Sequence, residues 1–419
     1  LKIIEAICAS SEFVKRMQIS FDESTGLIHE TGDHLGKPDF VYGDECLLFA
    51  GMGDIHVHAR EDVSGKNNYK EDFVTARAAM HNGGVSHAGD MPNNPIPPID
   101  NKSYLEKMKL AEKACGELWL YAGIGPGTSP LSETVPYKVY MGPSVGELFF
   151  KDLKTLDETL ERYKGQHVSF HCEDPEILEE HKGGPHHHLR RPVIAEAVAT
   201  RDALMLIEKH QLKGKLCHYS SKEGLGLIRS ARARGVNVTI EVTPQHLYFD
   251  IEGIEEGQQK MFQMNPPIRY KSDKEEMMRA FLNGEIDYLA TDHAPHTHEE
   301  KQKGTSGLTG LDTFAPFVAW LLGQGIDPRL IARVTSENPG RFHNQFLPTW
   351  KKQSASFATM GEGPGFLKKN HRANFTVIDT QRPLLLTAQH LKTKVGHSPF
   401  LGHTFPGSLR ELFIGGKKA

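Results

Sequence analysis

At 419 residues the chain is long enough for one large barrel with a smaller module, or for two to three ordinary domains. Its 49 Lys and Arg against 53 Asp and Glu leave a formal charge of −4, which offers no basic surface to nucleic acid or to an anionic membrane. No apolar run approaches the roughly 18 residues that span a bilayer, and the opening LKIIEAICASSEF lacks the segments of a secretory signal.

The first 46 residues show β-like alternation at 14–19 and 27–30, with turn residues at 22–26 and 32–38. Short apolar runs then appear at 49–56, 85–90, 118–124, 138–141, 168–171, 215–218, 236–242 and 286–290. Between them lie helical patterns at 70–82, 101–115, 153–163, 192–210, 222–234 and 273–282, while 125–137 is rich in Gly and Pro and too short for a good helix. Eight strands mostly separated by helices predict an α/β fold, a parallel (β/α)8 barrel of TIM type with right-handed crossovers. Strand-like segments return at 373–379 and 412–415. The expected organisation is a barrel over 49–345, with 1–48 and 346–419 joining as a small composite β-sandwich.

Chemistry concentrates at the ends of the predicted strands, where barrel enzymes place it. GMGDIHVHAR (51–60) carries His56 and His58 on an extended backbone, which projects both imidazoles to one face. LATDHAPH (289–296) brings a carboxylate, Asp292, from a distant strand. YKVYMG, FHCED and CHYS add Lys138, His171 and His218. Four imidazoles and an acid exceed what one zinc ion takes, so their convergence suggests two metals. An ammonium at Lys138 would be repelled there by several kcal/mol. Either its side chain points elsewhere, or CO2 has converted the amine into an anionic carbamate.

The 23 histidines suit a metalloenzyme, but not each is a ligand. The run His186–His188 reads as a polar loop, and His293 and His298 as residues outside the ligand set. The five cysteines, odd in number and without a CxxC, fit reduced thiols in a cytoplasm. If their stretches are strands, Cys172 and Cys217 point away from the neighbouring histidines and pack as small residues.

These motifs, with MPNNP, CHYSSKEGL, EVTPQHLYF, MNPPIR, ATDHAPHTHEEK, SGLTGLDT, SENPG and KVGHSPFLGHTFPG, occur in order over nearly the whole length. Together they resemble dihydroorotases, within the cyclic amidohydrolase branch of the amidohydrolase superfamily. The resemblance implies a metal-dependent barrel that cyclises N-carbamoyl-L-aspartate reversibly to L-dihydroorotate and water in de novo pyrimidine biosynthesis. His56 and His58 would bind the more buried of two divalent ions, His171 and His218 the more exposed one. Lys138 would be the carbamylated bridge, and Asp292 a ligand that shuttles a proton from a metal-bridging hydroxide. Zinc leads the candidate metals, although Mn and Co suit the same ligands.

Arg60 would clamp the substrate carboxylate, helped by Asn93, Asn265 and His296, with Ser306 and Gly307 touching the ring through main chain. The small-molecule substrate is the expected partner; the resemblance also leaves room for a homodimer and for association with an aspartate transcarbamoylase. Two departures stand out. The family's Arg-Glu-Pro-Gly is here Arg60-Glu-Asp-Val-Ser-Gly-Lys, and position 94 is Asn where Thr is common. A hydantoinase, dihydropyrimidinase or allantoinase generally lacks the arginine after HxH. A non-catalytic dihydroorotase-like partner would have lost ligands, and none is missing here.

Overall fold

The computed structural model describes residues 1–143 and 148–419. The N-terminal strands β1 (Lys2–Ala9), β2 (Val14–Asp22) and β3 (Leu27–Gly32) form an antiparallel meander, while β4 (Phe40–Val41) and β5 (Cys46–Ala50) pair parallel with the other edge of β1. After Gly51 alone, β6 (Met52–Val57) begins the barrel. It continues through β7 (Val85–Asp90), β8 (Leu118–Leu120), β9 (Ala122–Ile124), β10 (Tyr137–Tyr140), β11 (His167–His171), β12 (Lys213–Leu216), β13 (Val238–Val242) and β14 (Tyr288–Leu289).

Every pairing in this series is parallel. The expected 118–124 strand is one stave broken at Tyr121: β8 pairs with β7 and β9 with β10. Eight staves result. The ring closes where Val57 bridges His293, and where buried Asp54 accepts the Thr291 hydroxyl at 2.5 Å and its N–H at 3.2 Å. All residues of β6 and β7 are buried, as parallel staves covered on both faces require.

The predicted helix over 70–82 starts later, at Phe73, because the Asp72 side chain accepts the N–H groups of Val74 and Thr75 and Thr75 returns a bond in a capping box. Lys70 and Glu71 therefore belong to the loop over the barrel mouth. The 125–136 connection carries no helix, as its Gly and Pro content foretells. Below the barrel Trp119 stacks on Trp350 at 5.1 Å, and the Trp350 indole donates to Tyr104 at 3.0 Å. Such an aromatic pair adds about 0.5–1.5 kcal/mol beyond the area it buries.

The chain then returns to the terminal sheet through β15 (Phe375–Asp379), which pairs antiparallel with β5. A separate pair, β16 (Leu384–Leu385) with β17 (Thr404–Phe405), precedes β18 (Ser408–Ile414) and β19 (Lys417–Lys418). The composite β module thus takes strands from both chain ends in the order β19-β18-β15-β5-β1-β2-β3. It has its own core, including Ile4, Ile19, Phe21, Leu48, Phe375 and Phe413. All five thiols are free. Among the described residues no helix is long and apolar enough to cross a membrane.

Candidate metal centre

The strand ends deliver the predicted groups to one place. His56 lies in β6 and His58 just beyond it, their ring centroids 5.4 Å apart on the same face. His171 ends β11, Lys138 sits within β10, and His218 and Asp292 follow β12 and β14. His56 Nε2 and His58 Nε2 lie 3.2 and 3.0 Å from a single oxygen, Asp292 Oδ1. His171 Nδ1 stands 2.9 Å from His218 Nε2, whose ring is 5.2 Å from that of His56.

Three residues here occupy left-handed backbone: Arg60 at φ +65°, His218 at +36° and Asp292 at +48°. For non-glycine residues this costs about 1–3 kcal/mol each and persists only where neighbours over-determine it. Buried carboxylates do so. Asp90 accepts the N–H of Ala59, next to Arg60, at 2.7 Å; Glu241 accepts the His218 N–H at 3.0 Å; Asp54 holds Thr291, next to Asp292.

The donor set fits divalent cations. The donor atoms of His56, His58 and Asp292 all lie within 4.8 Å of one another. Burial, reinforced by Arg60 at His58, holds both imidazoles well below their usual range, so each is neutral with a free lone pair. Burial acts the same way on His171 and His218. Outer partners fix which nitrogen is free. His58 Nδ1 pairs with Asn93 Oδ1 at 2.7 Å, His56 Nδ1 with Glu241, and His171 Nε2 with Glu173 Oε2 at 2.8 Å. Metal-ligating histidines are usually held in this way. Lys138 Nζ is wholly buried, makes no hydrogen bond and lies 5.1 Å from the Tyr140 ring centre. An ammonium so placed has no hydrogen-bond acceptor among the described residues, whereas an anionic derivative would complement cations beside it.

Glu173 was not foreseen. Arg191 donates to it from Nε at 2.9 Å and Nη2 at 2.5 Å, so it ties a ligand to a guanidinium. Burial alone would raise this carboxyl, but Arg191 and His171 hold it below the usual range. Glu173→Gln is expected to weaken metal binding about 10–100-fold, as loss of such outer partners does. Competition with a chelator measures it.

One pocket is lined by ten of the predicted residues. These are His56, His58, Arg60, Asn93, His171, His218, Asn265, Asp292, Ser306 and Gly307, joined by Tyr140 and Ala294. Lys138 Nζ lies against the Tyr140 ring, and His296 stands beside Arg60, whose Nη2 is 3.2 Å from His296 Nε2. Asn93 turns its oxygen to His58. Gly307, at φ +139°, cannot carry a side chain: a Cβ would sit 2.6 Å from the Ala294 carbonyl oxygen and 2.7 Å from the His296 ring.

Two readings need correction. Cys217 does not pack away from the site: its Sγ lies within 4.8 Å of a His56 ring nitrogen and a Glu241 oxygen. Because β12 ends at Leu216 and His218 is left-handed, strand alternation does not govern this pair. The His186–His188 run is not simply a polar loop: His187 and His188 open the short helix His187–Arg190, and His187 Nε2 reaches Asn265 Oδ1 at 3.1 Å and Ser306 Oγ at 3.4 Å, bracing the pocket rim. No sequence signal distinguished it from its neighbours.

No family model matches the chain. It is 30% identical over 395 residues to the dihydroorotase of Geobacillus sp. (strain WCH70), covering 88% of this chain and 86% of that one. Identity is also 30% over 396 residues with the dihydroorotase of Methanosarcina acetivorans, covering 88% and 81%. The fold matches that of an L-hydantoinase from Arthrobacter aurescens at a TM-score of 0.86, with 21% identity over 99% of this chain and 95% of that one. A D-hydantoinase aligns at 0.85, with 20% identity over 100% and 94%. With 30% identity to two dihydroorotases over 88% of its length, the chain belongs to the dihydroorotase family.

Proposed function

We propose that this protein interconverts N-carbamoyl-L-aspartate and L-dihydroorotate, using two divalent ions, zinc first among them, and a carbamate on Lys138. The observation that carries the reading is Arg60. Arg60 is 3% exposed at the wall of the pocket, and among the described residues no carboxylate lies within 4.0 Å to pair with it. A buried, unpaired arginine is costly unless a ligand supplies the anion. Dihydroorotate does so through the carboxylate that takes no part in the reaction.

His56 and His58, with Asp292, would hold one ion, His171 and His218 the other, and carbamylated Lys138 would serve both. When bound, the ions make water nucleophilic at neutral pH and polarise the ring amide carbonyl. Asp292 takes the proton of the attacking water and returns it to the departing ring nitrogen. In the reverse direction it collects the ureido proton as the ring closes. Its Oδ1 lies 3.2 and 3.0 Å from the Nε2 atoms of His56 and His58, at the wall of the pocket, where a carboxylate can reach both the attacking water and the ring nitrogen. Arg60 orients the ring through the carboxylate, and the rim formed by Asn265, Ser306 and Gly307 limits its tilt.

Hydantoinase chemistry on the same fold is the rival. A hydantoin carries no carboxylate for Arg60, so the expected result is turnover of dihydroorotate at a kcat/KM far above that for hydantoin. Comparable rates on both would defeat the proposal. In Arg60→Met the KM for dihydroorotate is expected to rise about 10–100-fold, the worth of a charged hydrogen bond, with selectivity against carboxylate-free rings relaxed. Steady-state kinetics on the two substrates checks this.

A further inference from the structure

Two buried cations flank one ring behind the pocket. His296 presents Nε2 to Arg60 Nη2 at 3.2 Å and Nδ1 to Lys70 Nζ, also at 3.2 Å. Guanidinium and ammonium groups only donate, and a neutral imidazole offers a single lone pair. His296 can therefore accept from one of them alone. Burial first, then the charges of Arg60 and Lys70, oppose protonation of this ring, so it is neutral.

Lys70 is held rigidly. Its Nζ lies 2.9 Å from Glu300 Oε1, which also accepts the Tyr69 hydroxyl at 2.6 Å. Glu300 Oε2 accepts the Thr297 N–H at 3.0 Å in the capping box of helix His298–Gln302. That oxygen is 3.4 Å from His296 Nδ1, farther than Lys70, and accepts the Thr297 N–H. Lys70 is thus the nearer partner of Nδ1, and an ammonium there demands the lone pair.

We propose that Lys70 is a specificity-determining positioning residue: by donating to His296 Nδ1 it places the ring proton on Nε2, turning His296 into a second donor for the substrate carboxylate beside Arg60. Without an anion between them, the Nε2–H and an Arg60 N–H would point at each other. A carboxylate oxygen takes both hydrogens, whereas a carboxylate-free ring takes neither. Lys70 therefore widens the preference for carboxylate-bearing rings without touching the substrate. This inference rests on the reading of Arg60 and His296 as a carboxylate clamp.

The test uses the zinc-loaded full chain. Long-range proton–nitrogen correlation spectra, with His296 assigned against His296→Gln, are expected to show the ring proton on Nε2; a proton on Nδ1 overturns the proposal. In Lys70→Met the KM for L-dihydroorotate is expected to rise about ten-fold with kcat changed less than about two-fold, and Lys70→Arg to recover most of the loss. An unchanged KM, or a loss confined to kcat, overturns it. If Lys70→Met does not fold, the ring tautomer of the unaltered protein still decides. Should Arg60→Met raise KM while Lys70→Met does not, only the role of Lys70 falls. Should Arg60→Met leave KM unchanged, the clamp itself fails and takes this inference with it.

Discussion

Asp292→Asn is expected to reduce turnover by about 10³-fold or more while the metal content stays within error of the unaltered protein; the size follows from the loss of general acid–base catalysis. Asparagine keeps the shape and one oxygen toward His56 and His58, where Asp292 Oδ1 now sits at 3.2 and 3.0 Å. It cannot accept and return a proton. The left-handed backbone at this position tolerates asparagine better than most residues, so the loop anchored by Asp54 and Thr291 should hold. Single-turnover rates and metal analysis on the same preparation separate chemistry from binding. Activity within about ten-fold of normal, below what acid–base catalysis contributes, would remove Asp292 from the proton path.

Lys138→Ala attacks the centre differently, and both metal and activity are expected to fall. Lys138 Nζ is buried without a hydrogen bond, and four imidazoles from three other staves surround the same cavity. As an ammonium it would repel the cations those imidazoles are suited to bind; as a carbamate it would bind them. Truncation leaves space where a short carboxylic acid can stand in, so acetate or propionate is expected to restore part of the activity as its concentration rises. Intact mass of the unaltered protein should reveal the added CO2. Full metal content in Lys138→Ala without any added acid would exclude the bridge.

Both expectations rest on residues legible in the sequence, and for a physical reason. His56 and His58 obey strand alternation, and parallel staves buried on both faces announce themselves as short apolar runs. The end of β12 was harder to read. It stops at Leu216, and the left-handed His218 brings its ring to the same interior that Cys217 faces, against the expected alternation. The break at Tyr121 in the 118–124 stave was equally hidden, because pairing partners change without any change in composition. Glu241, His187 and Lys70 act through side chains brought near only by the folded chain. No local periodicity marks such residues, since their partners lie 23 to 226 positions away.

The central claim is that six groups from five staves hold metal at the mouth of the barrel. Anomalous diffraction from metal-replete crystals tests it most directly. Two peaks are expected, one in reach of His56, His58 and Asp292, the other of His171 and His218, with continuous density from Lys138 toward both. Peaks elsewhere on the chain, with this cluster empty at full metal loading, would contradict it.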